Sequence, residues 1–199
     1  MNKETNVYKT SKHILTYLEN TKKESSTKAI LAQLRNSINK DLGENIESLA
    51  FIFSMIPEDK LGTGKNLNYY EQAILTTLQL YAIYQQGEDR SVIYRNEDFP
   101  YKSLGQSLRS LRNPEDKNAN KSVDLRFNSL ISSPNYRMLE YRLRQIIKLL
   151  KAKREEQVDF FSLSNDLYAY LLGDVNPIRI KWARDYYWNI TRNKGEEND

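Results

Sequence analysis

This sequence predicts an all-α fold, a bundle of about eight to nine helices. Three observations carry the prediction. Apolar residues recur at helical spacing in nearly every segment, no stretch alternates as a half-buried strand would, and Pro57, Gly87 and Pro177 stand at the edges of periodic runs. No repeat or composition break divides the 199 residues. Residues 1–192 therefore read as one helical domain, with room for packed sub-lobes 1–100 and 101–192 on either side of a long polar connection.

In chain order, the first two helices are expected over 12–20 (KHILTYLEN) and 26–38 (STKAILAQLRNSI), the second opening on Ser26 as N-cap. A third, NIESLAFIFSMI, ends at Pro57, and 57–67 reads as a loop. Within it GTGKN has the look of a phosphate loop. No Gly stands at 59, however, and Asn66 replaces Ser or Thr, so it reads as a turn. NYYEQAILTTLQLYAIYQQ (68–86) is apolar on most sides and should be the central helix, ended by Gly87. The polar connection 87–102 leads to a short helix, SLGQSLRSLR. A polar loop, NPEDKNANKS, separates it from VDLRFNSLI, and Pro134 precedes a basic helix over 137–154. DFFSLSNDLYAYLLG (159–173) follows, then a last helix to about residue 192 with Asn176 as N-cap and Pro177 in its first turn. Residues 193–199, NKGEEND, read as a disordered acidic tail.

Composition removes several chemistries. With no cysteine and one histidine, disulfides, thiolate catalysis, cysteine-bound zinc and His-rich metal sites lack their parts. His13 reads as a surface or capping residue. Glu155 with Glu156, and Glu58 with Asp59, lie in polar contexts that would not raise a carboxyl pKa for acid–base work. The expectation is a non-enzyme with neither metal nor cofactor. No apolar run suits a signal or a membrane span, and the chain reads as cytoplasmic.

Charge is concentrated. The chain carries +4 overall, yet residues 102–154 hold thirteen Lys or Arg against four Asp or Glu. On a wheel of about 100° per residue, Leu139, Leu143, Ile146, Ile147 and Leu150 make a core face in the basic helix. Arg137, Arg144, Lys148 and Lys151 fall nearly opposite, with Tyr141 beside them and Glu140 as the one nearby acid. Like charges at this spacing repel by a few tenths of a kcal/mol per pair. A polyanion is thus a better explanation than a solvated face. Arg142 on the same helix, Lys102, Arg109 and Arg112 around the short helix, Arg126 (with Asp124 as a possible partner) and Arg35 complete the candidate nucleic-acid contacts. Arg179, Lys181 and Arg184 read equally well as structural, beside Asp185. No base-reading motif is present, so contact with backbone is expected, without sequence preference.

Six segments stand in an order that resembles the CasB family, the small subunit of the type I-E CRISPR surveillance complex Cascade. They are LYAIYQQGE (80–88), SLGQSLRSLR (103–112), DLRFNSLI (124–131), YRLRQIIKLLK (141–151), VDFFSLSNDLYAYL (158–171) and KWARDYYW (181–188). KAILAQLRNS is similar to the family's A-x-L-R-R segment, and the likeness spans roughly residues 28–188. It implies an all-helical, non-enzymatic subunit that packs head to tail along a filament of backbone subunits, near the large subunit. There it would help hold the guide RNA–target DNA hybrid and the displaced strand of the R-loop. By the same resemblance Arg35, Arg126 and Arg144 match family arginines, whereas Asn36 replaces a second arginine and Tyr84 stands where histidine is common. A stand-alone nucleic-acid-binding bundle and a protein-interaction scaffold are the alternatives.

Overall fold

The structure, a computed structural model, describes residues 6–38, 46–113, 117–153 and 156–188. The expected acidic tail and Arg154 lie outside these residues, while the last helix ends at Tyr187 with Trp188 as its C-cap, short of the expected 192. Nine helices are described: α1 (Asn6–Asn20), α2 (Ser25–Asn36), α3 (Ile46–Met55), α4 (Tyr69–Gln85), α5 (Leu104–Arg109), α6 (Lys117–Ile131), α7 (Tyr136–Lys151), α8 (Phe160–Leu171) and α9 (Val175–Tyr187). Among the described residues there is no strand, only a parallel bridge between Ile93 and Val158. Among the described residues no helix is long and apolar enough to cross a membrane.

The organising element is α4, buried along almost its whole length as its sequence predicts. It packs against α1, α2, α7 and α8. Asn68 caps its N-terminus, and Glu71 completes a reciprocal capping box by accepting from the Asn68 amide at 2.7 Å. The same carboxylate accepts from the Gly62 amide at 2.7 Å, which ties the 57–67 loop down. A Cβ on Gly62 would come within 2.9 Å of Glu71 Oε2, so this glycine serves close approach to the carboxylate, and residues 64–66 of GTGKN form a bend. Gly87, at φ 74°, lets the chain leave α4.

Another glycine sets the contact between α5 and α9. A Cβ on Gly105 would stand 2.2 Å from the Trp182 carbonyl oxygen, so only glycine admits this spacing. Gly105 is the glycine of SLG; the serine before it, Ser103, caps α5 in a second capping box with Gln106. Trp182 in turn donates from its indole to the buried Asp166 at 2.7 Å, and Lys181 pairs with the same carboxylate at 2.8 Å. Burial pushes the Asp166 carboxyl upward, with Lys181 opposing.

Several boundaries differ from expectation. α1 begins at Asn6, six residues before the expected start at 12. The N-cap of α2 is Glu24 rather than Ser26. α6 begins at Lys117, inside the stretch that reads as loop. There Asn120 is buried and its amide exchanges two 2.7 Å hydrogen bonds with the Asn113 backbone, so a polar side chain anchors the helix where an apolar one would be looked for. α9 is capped by Asp174, not Asn176, which leaves Pro177 within the first turn.

Candidate nucleic-acid interface

The site is built where α2 and α7 flank the C-terminal end of α4. A helix leaves its last carbonyls without intrahelical donors, and that end carries partial negative charge. Two of the sequence-selected cations answer this. Arg35 donates to the Ala82 carbonyl at 3.3 Å, and Lys151 donates to Ile83 at 3.1 Å and to Gln86. Burial lowers the Arg35 pKa. Lys151 is also lowered by burial; Glu88 opposes the fall and Arg35 adds to it, so the two cations sense each other.

Farther up the seam, Arg144 reaches the Gln79 side-chain oxygen at 3.5 Å, while the Gln79 amide donates to Ser37, just past α2, at 2.8 Å. Glu140 accepts from Gln72 at 2.9 Å and from Thr76 at 2.5 Å, so the stripe's one acid is held by α4. Burial pulls the Arg144 pKa down, with Glu140 opposing. Beyond this seam, on the outer surface of α7, Arg137, Tyr141 and Lys148 are exposed. Neither Arg137 nor Lys148 has a hydrogen-bond or ion-pair partner among the described residues. The predicted core face of α7 is buried at all five positions, Leu139, Leu143, Ile146, Ile147 and Leu150. Arg35, Arg137, Arg144, Lys148 and Lys151 therefore share one edge of the molecule.

The other five candidates lie elsewhere. Arg142 is two residues from Arg144 and so about 160° around the helix. It bonds the Ser129 carbonyl and, at 3.3 Å, the Ser133 hydroxyl at the end of α6. Arg126 is exposed on α6 and pairs with nothing among the described residues. Its expected partner Asp124 instead meets Arg112 at 3.2 Å and accepts from Tyr186 at 2.6 Å. Residues two apart on a helix do not face each other, which explains the exchange. Arg112 also lies over the Tyr186 and Tyr187 rings, 5.5 and 5.4 Å from their centroids, and Arg109 reaches the Trp188 carbonyl at 3.5 Å. Lys102 is paired with Glu156 and sits 5.1 Å over the Tyr94 ring. Lys102 and Arg142 are thus engaged by internal acceptors, and Arg112 stands in an ion pair with Asp124. Of the weaker candidates, Lys181 pairs with Asp166 rather than Asp185, and Arg179 donates to the Ser133 carbonyl.

Sequence reading missed a groove beside Arg35. Lys22, Lys23 and Lys28 line it with Leu31 and residues 85–89, enclosing about 650 Å³. Seven residues separate Lys28 from Arg35, two helical turns on one face of α2, and that spacing was the available signal. Tyr84, where the resemblance has histidine, is buried and donates to the Glu156 carbonyl at 3.0 Å; burial pushes its hydroxyl up to about 12. His13 is exposed on α1. Among the described residues no group of three or more His, Asp or Glu is placed to hold a metal ion.

Comparison with known proteins follows the same lines. The sequence model of the CRISPR-associated protein Cse2 family matches residues 30–187. The fold is similar to that of CasB from Thermobifida fusca, with TM-score 0.73 and 21% identity over 94% of this chain and 100% of that one. It is also similar to a CRISPR-associated protein of the Cse2 family from Thermus thermophilus, with TM-score 0.62 and 22% identity over 89% and 97%. Among curated protein sequences, none matches the chain.

Proposed function

Because the chain belongs to the CRISPR-associated Cse2 family, we propose that it is a non-catalytic Cascade subunit that grips nucleic-acid backbone along the outer edge of α7 and the neighbouring end of α2. The observation that carries this reading is the exposed pair Arg137 and Lys148, both without partners among the described residues, on the same edge as Arg144. A surface selected only for stability would place acids among such cations. In an RNA-guided complex, sequence is read by base pairing, and exchange of a DNA duplex for a hybrid is nearly balanced in energy. Modest backbone contacts are then enough to tip it. The partners in this reading are the guide RNA, the target DNA with its displaced strand, the backbone and large subunits, and further copies of this chain packed head to tail.

If about five cations reach phosphates of a single strand, log K should fall against log salt with a slope near ~−3.5. The test pairs two measurements. Guide RNA and larger subunits should co-purify with the chain. The Arg137→Glu, Lys148→Glu variant should enter the complex normally yet retain target DNA poorly. Wild-type retention and salt dependence in that variant would refute the placement, and cutting that tracks a single carboxylate variant would refute the non-catalytic role.

A further inference from the structure

We propose that Tyr141 is a stacking platform for an unpaired base, which makes the outer edge of α7 selective for single strands; the inference rests on the nucleic-acid role above. The ring is 53% exposed, and among the described residues it has no hydrogen-bond, ring or cation–π partner. It forfeits the burial that Tyr70, Tyr81, Tyr84 and Tyr186 obtain.

Its surroundings set it apart from other exposed rings. Phe99 is more open, at 71%, but follows Glu97 and Asp98, two exposed acids. Around Tyr141 the charge is positive. At about 100° per residue, Arg137, Tyr141 and Lys148 fall within about 40° of one another on α7. Glu140, the neighbouring acid, is held against α4 by Gln72 and Thr76. At 1.5 Å per residue, Arg137 stands about 6 Å along the helix on one side of the ring and Lys148 about 10 Å on the other. A strand laid along this stripe meets a cation, then the ring, then a second cation. That is the layout of a backbone track with a base platform.

One more group fits the same occupant. Gln145 is exposed, and its amide has no partner among the described residues. Positions four apart on a helix are about 5–6 Å apart at Cβ, so this amide lies beside the ring. It both donates and accepts, and so can meet the edge of any base without choosing which. A duplex would use little of this. Its bases are already stacked and paired, which leaves the ring and the amide idle and only the cations engaged.

The test measures binding of the purified chain to oligo-dT and to a strand of equal length made of abasic deoxyribose phosphate. The wild type should prefer oligo-dT by about tenfold, the effect of one stacked base. Tyr141→Ala removes no charge, so it should erase that preference, leave affinity for the abasic strand unchanged and keep both salt slopes. Tyr141→Trp should restore the preference. Arg137→Ala with Lys148→Ala should instead weaken both strands alike and flatten the salt slope by about 1.4. Equal binding of the two strands by the wild type, or an oligo-dT preference that survives Tyr141→Ala, overturns the platform and leaves the backbone reading intact. Loss of the larger subunits from Tyr141→Ala with oligo-dT binding unchanged overturns it too, and assigns the ring to a protein contact. Failure of the wild type to bind either strand overturns both readings.

Discussion

Lys148 and Lys151 lie one turn apart on α7, carry the same charge, and have different surroundings. Lys151 bends onto α4 and donates to two of its terminal carbonyls; Lys148 extends from the outer surface without a partner among the described residues. The same division runs through the molecule. Arg35, Lys151, Lys153, Arg142 and Arg179 all donate to carbonyls at or just past the ends of α4, α5 and α6, Lys153 reaching Ser110 at 2.5 Å. Three cations of residues 102–154, Arg142, Lys151 and Lys153, thus neutralise helix C-termini, with Arg35 and Arg179 from outside that window. Density of charge in a sequence window is therefore a poor guide to an interface. What remains exposed after the helix ends have been satisfied is a better one.

The sharpest way to break this comparison is to reverse the exposed charges. Arg137→Glu with Lys148→Glu should weaken single-strand binding roughly a hundredfold at low salt, while the melting temperature stays at the wild-type value. A large thermal shift with unchanged binding would put these residues in the structural set. Next, Lys151→Met should destabilise the fold by about 1–2 kcal/mol in urea titration, because it strips donors from the α4 end. Its effect on binding should be about threefold, one contact's worth on the rim; a larger binding loss than stability loss would move Lys151 to the exposed set. Arg142→Met should cost about 1 kcal/mol, read the same way, with strand affinity unchanged. Smallest is Lys102→Met. Its pair with Glu156 is partly exposed, so the expected cost is at most about 1 kcal/mol with no change in salt slope, and a flatter slope would show that Lys102 reaches phosphate after all.

The fold was legible wherever apolar spacing decided it. The buried face of α7 and the burial of α4 follow directly from periodicity, and Gly87 ends α4 as its place predicts. The start of α6 was hidden because its anchoring contact is a buried asparagine bonded to backbone, which composition cannot distinguish from a loop. For the candidate site, the wheel set Arg137, Arg144, Lys148 and Lys151 on the face of α7 away from its buried residues but could not tell Lys148 from Lys151. The acceptors that separate them are backbone carbonyls of another helix, and no side-chain pattern encodes those. Asp124 illustrates the same limit, since its partner Arg112 comes from a different element and only tertiary packing brings the two together. The groove lysines escaped because they lie outside the window of highest charge.

One contact bears on how this chain would answer a neighbour. With no side chain between α5 and the carbonyl of Trp182, the joint has no soft layer to absorb displacement. A load applied to α5 would arrive undamped at the tryptophan, whose indole grips Asp166 in the interior. The short helix is thus a lever seated on the core, and a protein docking there would be felt as strain deep inside rather than as movement of a surface flap.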